Sequence, residues 1–491
     1  MRSVFISLFI LMSFTLSAQK LSDELTKAQI KQIERGYGLF IHFGINTFNE
    51  IEWSKGDLPV ESYNPTELDC DQWVQTAKEA GFRYVILVTK HHEGFCLWDS
   101  KYTDYDVASS PVKTDVVAEV AKACKKYGLE LGLYYSLWDR HEPCYADSEK
   151  YAEFMKNQLT ELLTNYGEIC ELWFDGGWNK TEEEWYLPEV YRYTKELQPN
   201  MMMTVNHSIG KPEKINAVRL PRNYVEGDPI RYYPIDFRIK DPNLVRWDDP
   251  KHYKYNDELI YLAFEHTLCI SDRWNWFQKK EMLPARPVDE LEELFYWCTS
   301  NDNLLIINMS PDERGLIRTH ERMRIIELAD RLGIRGGSKH LPTGAVNLAF
   351  NKKISASSCA PNAVASAVND YDIESFWTAA DSVASLEIDF EKEITYDRIC
   401  LFEKAEMKRL PDGFSKIRTF RVEEFELQKW ADGKWDTFYA GAGIGACKII
   451  NLPEELSAEK IRLKIIRANG APSISHFSVA QNSSKSIRKT K

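Results

Sequence analysis

The chain is predicted to fold as α/β, a TIM-like (β/α)8 barrel, followed by an all-β sandwich. Two observations carry this expectation. From about Tyr37 to Ser310, short near-continuous apolar runs alternate with helical stretches. Such runs lack the polar alternation of a half-exposed sheet and read as strands of a parallel sheet covered on both faces. Beyond Leu332 the segments become short, β-rich and separated by turns, which is the spacing of a sandwich.

The strand candidates of the first part are YGLFIHF (37–43), RYVILVT (83–89), LELGLYYS (129–136), ICELWFD (169–175), MMMTVN (201–206) and LLIINMS (304–310). Between them lie helical patterns such as DQWVQTAKEAGF and TDVVAEVAKACKKYG, the second opening at a Thr-Asp cap and stopping at Gly128. Repeated βα units of this kind favour a barrel, with a doubly wound open sheet as the second choice. LGIRGGSKHLPTG has a linker's composition. The boundaries that follow are a signal peptide at 1–18, a barrel domain at 19–335, a linker at 336–343 and a β-sandwich at 344–491.

The first residues, MRSVFISLFILMSFTLSAQK, combine Arg2, an apolar run from Val4 to Leu16 and small residues Ser17-Ala18 before Gln19. This is the layout of a cleaved leader, so an exported protein, periplasmic or extracellular, without membrane insertion is expected. A net charge of −12 in 491 residues excludes a nucleic-acid partner, which needs a basic face. Aromatic residues make up 12% of the chain, with 14 Trp and 24 Tyr, a content that suits stacking on sugar rings as well as a large core. The ten cysteines show no C-x-x-C and no regular frame, so most are read as buried thiols.

Barrel enzymes carry their chemistry at the C-terminal ends of the strands. There the sequence places His42, then Lys90-His91-His92-Glu93, Trp138-Asp139-Arg140-His141, Trp173-Phe174-Asp175-Gly176-Gly177 and Asn206-His207. Metal ligation fits poorly: Gly44 stands where a first-strand H-x-H pair would need its second histidine, and adjacent His91 and His92 point to opposite sides of an extended strand. No G-x-S-x-G supports a serine nucleophile. Glycoside hydrolysis needs two carboxyl groups of different acidity, hydroxyl-binding groups and an aromatic platform. Asp175, at the end of a buried run and before two glycines, suits the ionised partner.

The stretches GLFIHFGINTF, EIEW, TKHHEGFCLWDSKYTDYDV, GLYYSLWDRH, ELWFDGGW and NLLIINMSP resemble, in order and spacing, glycoside hydrolase family 29, the α-L-fucosidases. The resemblance covers most of residues 30–320. It implies a retaining exo-hydrolase that acts on fucosylated oligosaccharides or glycoconjugates through a covalent intermediate, with no metal or other cofactor. It also implies Asp175 as nucleophile, and His42, Glu52, Trp53, His91, His92, Tyr134 and Trp173 as residues that hold the fucose. FEHTLCISDRWNW resembles a further family segment and implies Trp274 as a platform beside the fucose methyl.

The acid/base is assigned to Glu226 in VEGDPIR, with Arg231 five residues later, because a similar Glu and Arg follow the nucleophile in the subgroup that the WDRH stretch resembles. Asp236 and Glu265 are its rivals. The same subgroup resemblance leans toward α-1,3/1,4, Lewis-type linkages. In the last third, NLAFNKKISASS, DYDIESFW and GAGIGACKI resemble the discoidin-like, galactose-binding-like fold. The alternative to an enzyme is a non-catalytic fucose- or glycan-binding protein on a degenerate barrel.

Overall fold

The apolar runs become inner strands of one parallel sheet. The computed structural model describes residues 25–213, 223–241, 244–271, 273–274, 276–277, 283–409 and 416–482; the expected leader lies outside them. In chain order the strands of the first part are β1 (Tyr37–Ile41), β2 (Tyr84–Lys90), β3 (Glu130–Ser136), β4 (Ile169–Asp175), β5 (Met202–Val205), β6 (Arg238–Ile239), β7 (His252–Tyr255), β8 (Glu258–Tyr261), β9 (Phe264–Cys269) and β10 (Leu304–Asn308). Eight of them hydrogen-bond in the order β5-β4-β3-β2-β1-β10-β9-β6, while β7 and β8 form a separate hairpin. The end strands meet through a parallel bridge between Asn206 and Ile239, and the Thr204 hydroxyl donates to Phe237 O at 2.6 Å. The sheet thereby closes into the expected barrel.

Six strands follow the apolar runs to within two residues at either end. The other two, β6 and β9, are no apolar runs at all. β6 has two residues, and its Arg238 is buried only because Asp249 neutralises it and the Tyr253 ring lies 4.5 Å away. β9 reads FEHTLC and is buried throughout; its Glu265 accepts from Tyr84 Oη at 2.7 Å and Trp173 Nε1 at 2.9 Å. Buried polar groups persist where each has a partner.

Helices sheathe the barrel and start where their caps predict. Asp69 Oδ1 accepts from Gln72 N at 2.9 Å ahead of helix Cys70–Glu79, and Asp115 Oδ1 from Ala118 N at 2.8 Å ahead of Val116–Tyr127. Gly128, at φ 68°, ends the latter in the left-handed conformation that glycine supplies without strain.

The C-terminal part is a seven-stranded antiparallel sheet around its own core. The apolar segments SLEIDF and RICLFEK lie in one long strand, Ala384–Glu403, and CKIINL and KIRLKII in another, Lys448–Ala468. The polar stretch between each pair of apolar segments is absorbed by register shifts in their mutual pairing, between Asp389/Ile394 and Tyr396/Arg398, because a bulge lets a strand bend without ending. The helix Val288–Thr299 docks on this sheet, where Arg398 pairs with Glu293 at 2.9 Å and Glu292 at 3.4 Å and Asp289 Oδ2 accepts from Ile449 N at 3.0 Å, and on the separate hairpin of Glu406–Arg409 and Lys416–Thr419, where Arg418 pairs with Glu290 at 2.9 Å. The segment read as a linker is tied down as well, Gly336 N donating to Glu79 O at 3.1 Å and Arg83 to Ser338 O at 2.8 Å. None of the ten cysteines is in a disulfide, although Cys400 Sγ and Cys447 Sγ lie 3.4 Å apart. Among the described residues, no helix is long and apolar enough to cross a membrane.

Candidate active site

The strand ends of β1, β2, β4 and β5, with the segments after β6 and β9, surround a cavity of about 530 Å³ lined by His42, Glu52, Trp53, His91, His92, Asp175, Trp178, Asn206, His207, Asp241 and Trp274. Asp175 is held by three donors: Tyr134 Oη to Oδ2 at 2.9 Å, Asn206 Nδ2 to Oδ1 at 3.0 Å and Gly176 N to Oδ1 at 2.7 Å. With the side chain fixed this way, its orientation is set before any ligand arrives. Gly176 is required by its own surroundings. At φ 76°, a Cβ there would sit 2.7 Å from the Trp138 Cβ and 3.1 Å from His92 Nδ1. The close approach it permits is by Trp138 and His92.

Two histidines are locked as acceptors. The Ser136 hydroxyl donates to Trp138 O at 2.6 Å, so its lone pair takes the proton of His92 Nδ1 at 2.7 Å. That leaves the lone pair of His92 Nε2 facing Asp175 Oδ2 across 3.8 Å. His42 Nδ1 donates to Asn308 Oδ1 at 2.8 Å, and its Nε2 is likewise the acceptor. Burial, then the neighbouring His91, pushes the pKa of both rings well below the usual histidine value. His91 Nδ1 lies 3.3 Å from Glu93 Oε2, which also accepts from Asn46 Nδ2 at 2.6 Å. Among the described residues, no three His, Cys, Asp or Glu side chains converge as metal ligands.

An aromatic wall stands on the other side. Trp53, 49% exposed, packs edge-on against Trp138 at 5.9 Å and beside Trp178 at 5.8 Å. Trp178 and Trp138 both flank His92. Trp274 meets His42 at 4.6 Å between ring centres. The WDRH stretch builds the support: Asp139 pairs with buried Lys90 at 2.7 Å, Arg140 donates to Trp53 O at 3.0 Å, and His141 bonds Gly56 O at 2.7 Å.

Asp241 is the carboxyl that the sequence reading missed. It follows β6 by two residues, its backbone N donates to Asn206 Oδ1 at 3.1 Å, and Asn206 in turn holds Asp175. Its Oδ1 is buried and has no hydrogen-bond partner among the described residues. Burial raises its pKa well above the ordinary carboxylate range, and the charges of Asp175 and Glu52 add to this against the pull of the Thr267 hydroxyl. Glu52 is shifted the same way, burial first. Asn206 and His207, read at the rim without an assigned role, line the cavity as well, and so does Trp178, which could have been found as the end of the DGGW run. His207 sits at φ 60°, and burial holds its pKa down at about 4.

Five expected residues lie elsewhere. Glu226 is exposed at the tip of a turn that Asp228 closes, accepting from Val225 N at 2.9 Å while Gly227 N donates to His252 O at 3.0 Å. It does not line the cavity. Arg231 is buried and spends its guanidinium on Lys211 O at 2.9 Å and His207 O at 3.2 Å, holding the loop behind the site. Trp173 lies beneath the cavity, stacked on Tyr134 at 5.5 Å. Asp236 is taken up by Lys195 at 2.7 Å, Tyr191 Oη at 2.7 Å and Met203 N at 2.7 Å. Glu265 is in the barrel interior, bonded to Tyr84 and Trp173.

A sequence profile of the α-L-fucosidase family matches residues 49–337. Alpha-L-fucosidase 1 of Arabidopsis thaliana is 30% identical over 448 residues, 89% of this chain and 84% of that protein. The crystal structure of SpGH29 superposes with a TM-score of 0.53 at 26% identity, covering 93% of this chain and 98% of that one. A Ruminococcus gnavus GH29 fucosidase in complex with fucose shares the fold, with a TM-score of 0.51 at 23% identity over 93% and 94% of the two chains. With a rim of carboxylates, histidines and tryptophans on such a barrel, and with these likenesses along most of its length, the chain belongs to the α-L-fucosidase family of glycoside hydrolases, family 29.

Proposed function

We propose that the protein removes terminal α-linked L-fucose from glycans with retention of anomeric configuration, Asp175 being the nucleophile and Asp241 the acid/base. The observation that carries this reading is that Asn206 ties both residues to one cavity, its amide donating to the Asp175 carboxylate and its Oδ1 accepting from the Asp241 backbone N: one carboxyl is fixed by three donors, the other is pushed toward its protonated form.

In the first step an Asp175 oxygen forms a bond to the anomeric carbon as the glycosidic C–O bond breaks. Asp241 gives its proton to the departing oxygen, leaving a fucosyl ester on Asp175. In the second step the Asp241 carboxylate takes a proton from water, whose oxygen attacks the same carbon. L-fucose leaves, Asp175 is restored, and Asp241 is again protonated. Nε2 of His42 and His92 accept from sugar hydroxyls, while Trp53, Trp178 and Trp274 cover the apolar face of the sugar.

The α-1,3/1,4 preference rests on the WDRH resemblance, and export on the leader-like first residues. The C-terminal part, discoidin-like by its sequence resemblance, acts as a buttress through Arg398 of its main sheet and Arg418 of its hairpin.

Proton NMR of the first-formed fucose, before mutarotation, tests the mechanism. α-L-fucose appearing first supports double displacement; β-L-fucose appearing first overturns it.

A further inference from the structure

A second cavity, of about 450 Å³, lies between the barrel and the C-terminal sheet. Its barrel wall includes Leu244, Thr267 and Trp274, and its other wall Phe402, Lys404 and Met407. Trp274 belongs to both cavities. Thr267 is the residue whose hydroxyl neighbours Asp241. The two cavities therefore adjoin at the wall where the proposed acid stands.

That juxtaposition has a chemical meaning. In a retaining glycosidase the acid stands on the side of the departing oxygen and the nucleophile on the opposite side of the anomeric carbon. Whatever is attached to the fucose must then emerge past Asp241, toward Thr267 and Trp274. The cleft is close in volume to the catalytic cavity, which suits one or two further sugar rings rather than an extended polymer. It offers an indole and a phenyl ring for stacking, with Ser475 and Lys404 for hydroxyls. Its charges nearly balance: the basic Arg273, Arg286, Lys404 and Arg418 face Glu290, Glu374 and Glu403, and Arg286 and Arg418 both pair with Glu290. No concentrated positive field is left to select an acidic sugar.

We propose that this cleft is the leaving-group subsite and that it takes a neutral saccharide, so that the C-terminal domain forms one wall of the substrate site. The proposal rests on the fucosidase reading and on Asp241 being the acid.

The test compares kcat/KM for an aryl α-L-fucoside with that for a neutral Lewis-type trisaccharide, in wild type, Ala405→Trp and Lys404→Ala. Ala405→Trp fills the cleft; Lys404 is exposed, so its truncation tests the same wall without threatening the fold. The trisaccharide-to-aryl ratio should fall about tenfold in Ala405→Trp and by a smaller factor in Lys404→Ala. The defucosylated disaccharide should inhibit wild type and do so about tenfold less well in Ala405→Trp. A ratio unchanged in both variants, or a parallel loss on both substrates, overturns the subsite. Wild type that releases fucose from neither substrate overturns the fucosidase reading instead.

Discussion

The barrel holds two layers of carboxylates along one axis, and they differ in what they face. In the lower layer, Glu171 pairs with buried Arg35, and Glu265 accepts from Tyr84 and Trp173. In the upper layer, Asp175 stands four residues beyond Glu171 on β4, on the same face and roughly 13 Å higher. Asp175 also has its donors, but it faces a cavity with Glu52 and Asp241, and Asp241 keeps a buried oxygen without a partner among the described residues. Burial raises Glu265 and Asp241 alike. A shifted carboxyl alone therefore does not mark a site. What distinguishes the upper layer is the open cavity its carboxyls face; the lower layer is closed and holds polar strands together, although Glu171 Oε1 there also lacks a hydrogen-bond partner among the described residues.

Substitutions can break this contrast. The largest effect is expected for Asp175→Ala, with kcat falling on the order of 10⁴-fold and the melting temperature near wild type. Asp241→Asn should cost about 10²–10⁴-fold on oligosaccharides and less on activated aryl fucosides. Azide should restore turnover there as a fucosyl azide of the substrate's own anomeric configuration. Glu226→Ala in parallel should stay close to wild type, and a leaving-group-dependent loss in that variant would return the acid/base to Glu226.

The pH dependence carries the same assignment. Because Asp241 is raised in the fold, its contribution to stability is complete below the ordinary carboxylate pKa. It is lost as pH rises through the raised value. Acid-dependent turnover should fall over that same upper limb. Denaturant titrations of Asp241→Asn across pH should show a flatter profile than wild type.

In the lower layer the effect should be on stability. Glu265→Ala orphans the Tyr84 hydroxyl and Trp173 indole and opens a cavity, at a cost of roughly 2–5 kcal/mol. The rate of the protein that remains folded should stay within a few-fold of wild type, as chemical denaturation alongside initial rates would show. A smaller effect on catalysis is expected for Trp178→Ala: KM for the aryl fucoside rising about tenfold with kcat nearly unchanged, as loss of one aromatic contact predicts.

Legibility in the sequence follows the same physics. Strands buried on both faces announce themselves as apolar runs, so β1 to β5 and β10 could be read, and with them the rim positions His42, His91, His92 and Asp175. β6 could not be read, because two residues carry no period and Arg238 looks like a surface residue until Asp249 is found beside it. Asp241 was hidden with it, since its strand end could not be located. The subgroup resemblance points to Glu226, but Asp228 and Gly227 turn that segment back on itself and leave its side chain in solvent. Arg231 and Trp173, expected as substrate contacts, stand outside the cavity lining, Arg231 bonded to Lys211 O and His207 O and Trp173 stacked on Tyr134; which way a side chain points within a wall has no sign in the sequence. In the C-terminal part the alternation was legible, but bulges that carry two segments into one strand have no compositional sign.

The measurement that bears most directly on the account is release of free L-fucose from an aryl α-L-fucoside by wild type and by Asp175→Ala, with fucose binding measured on both. Release by wild type, none above background by the variant and binding by both is the predicted result. A variant that turns over at the wild-type rate would contradict the role of Asp175. A folded wild type that binds fucose and releases none would contradict the activity itself.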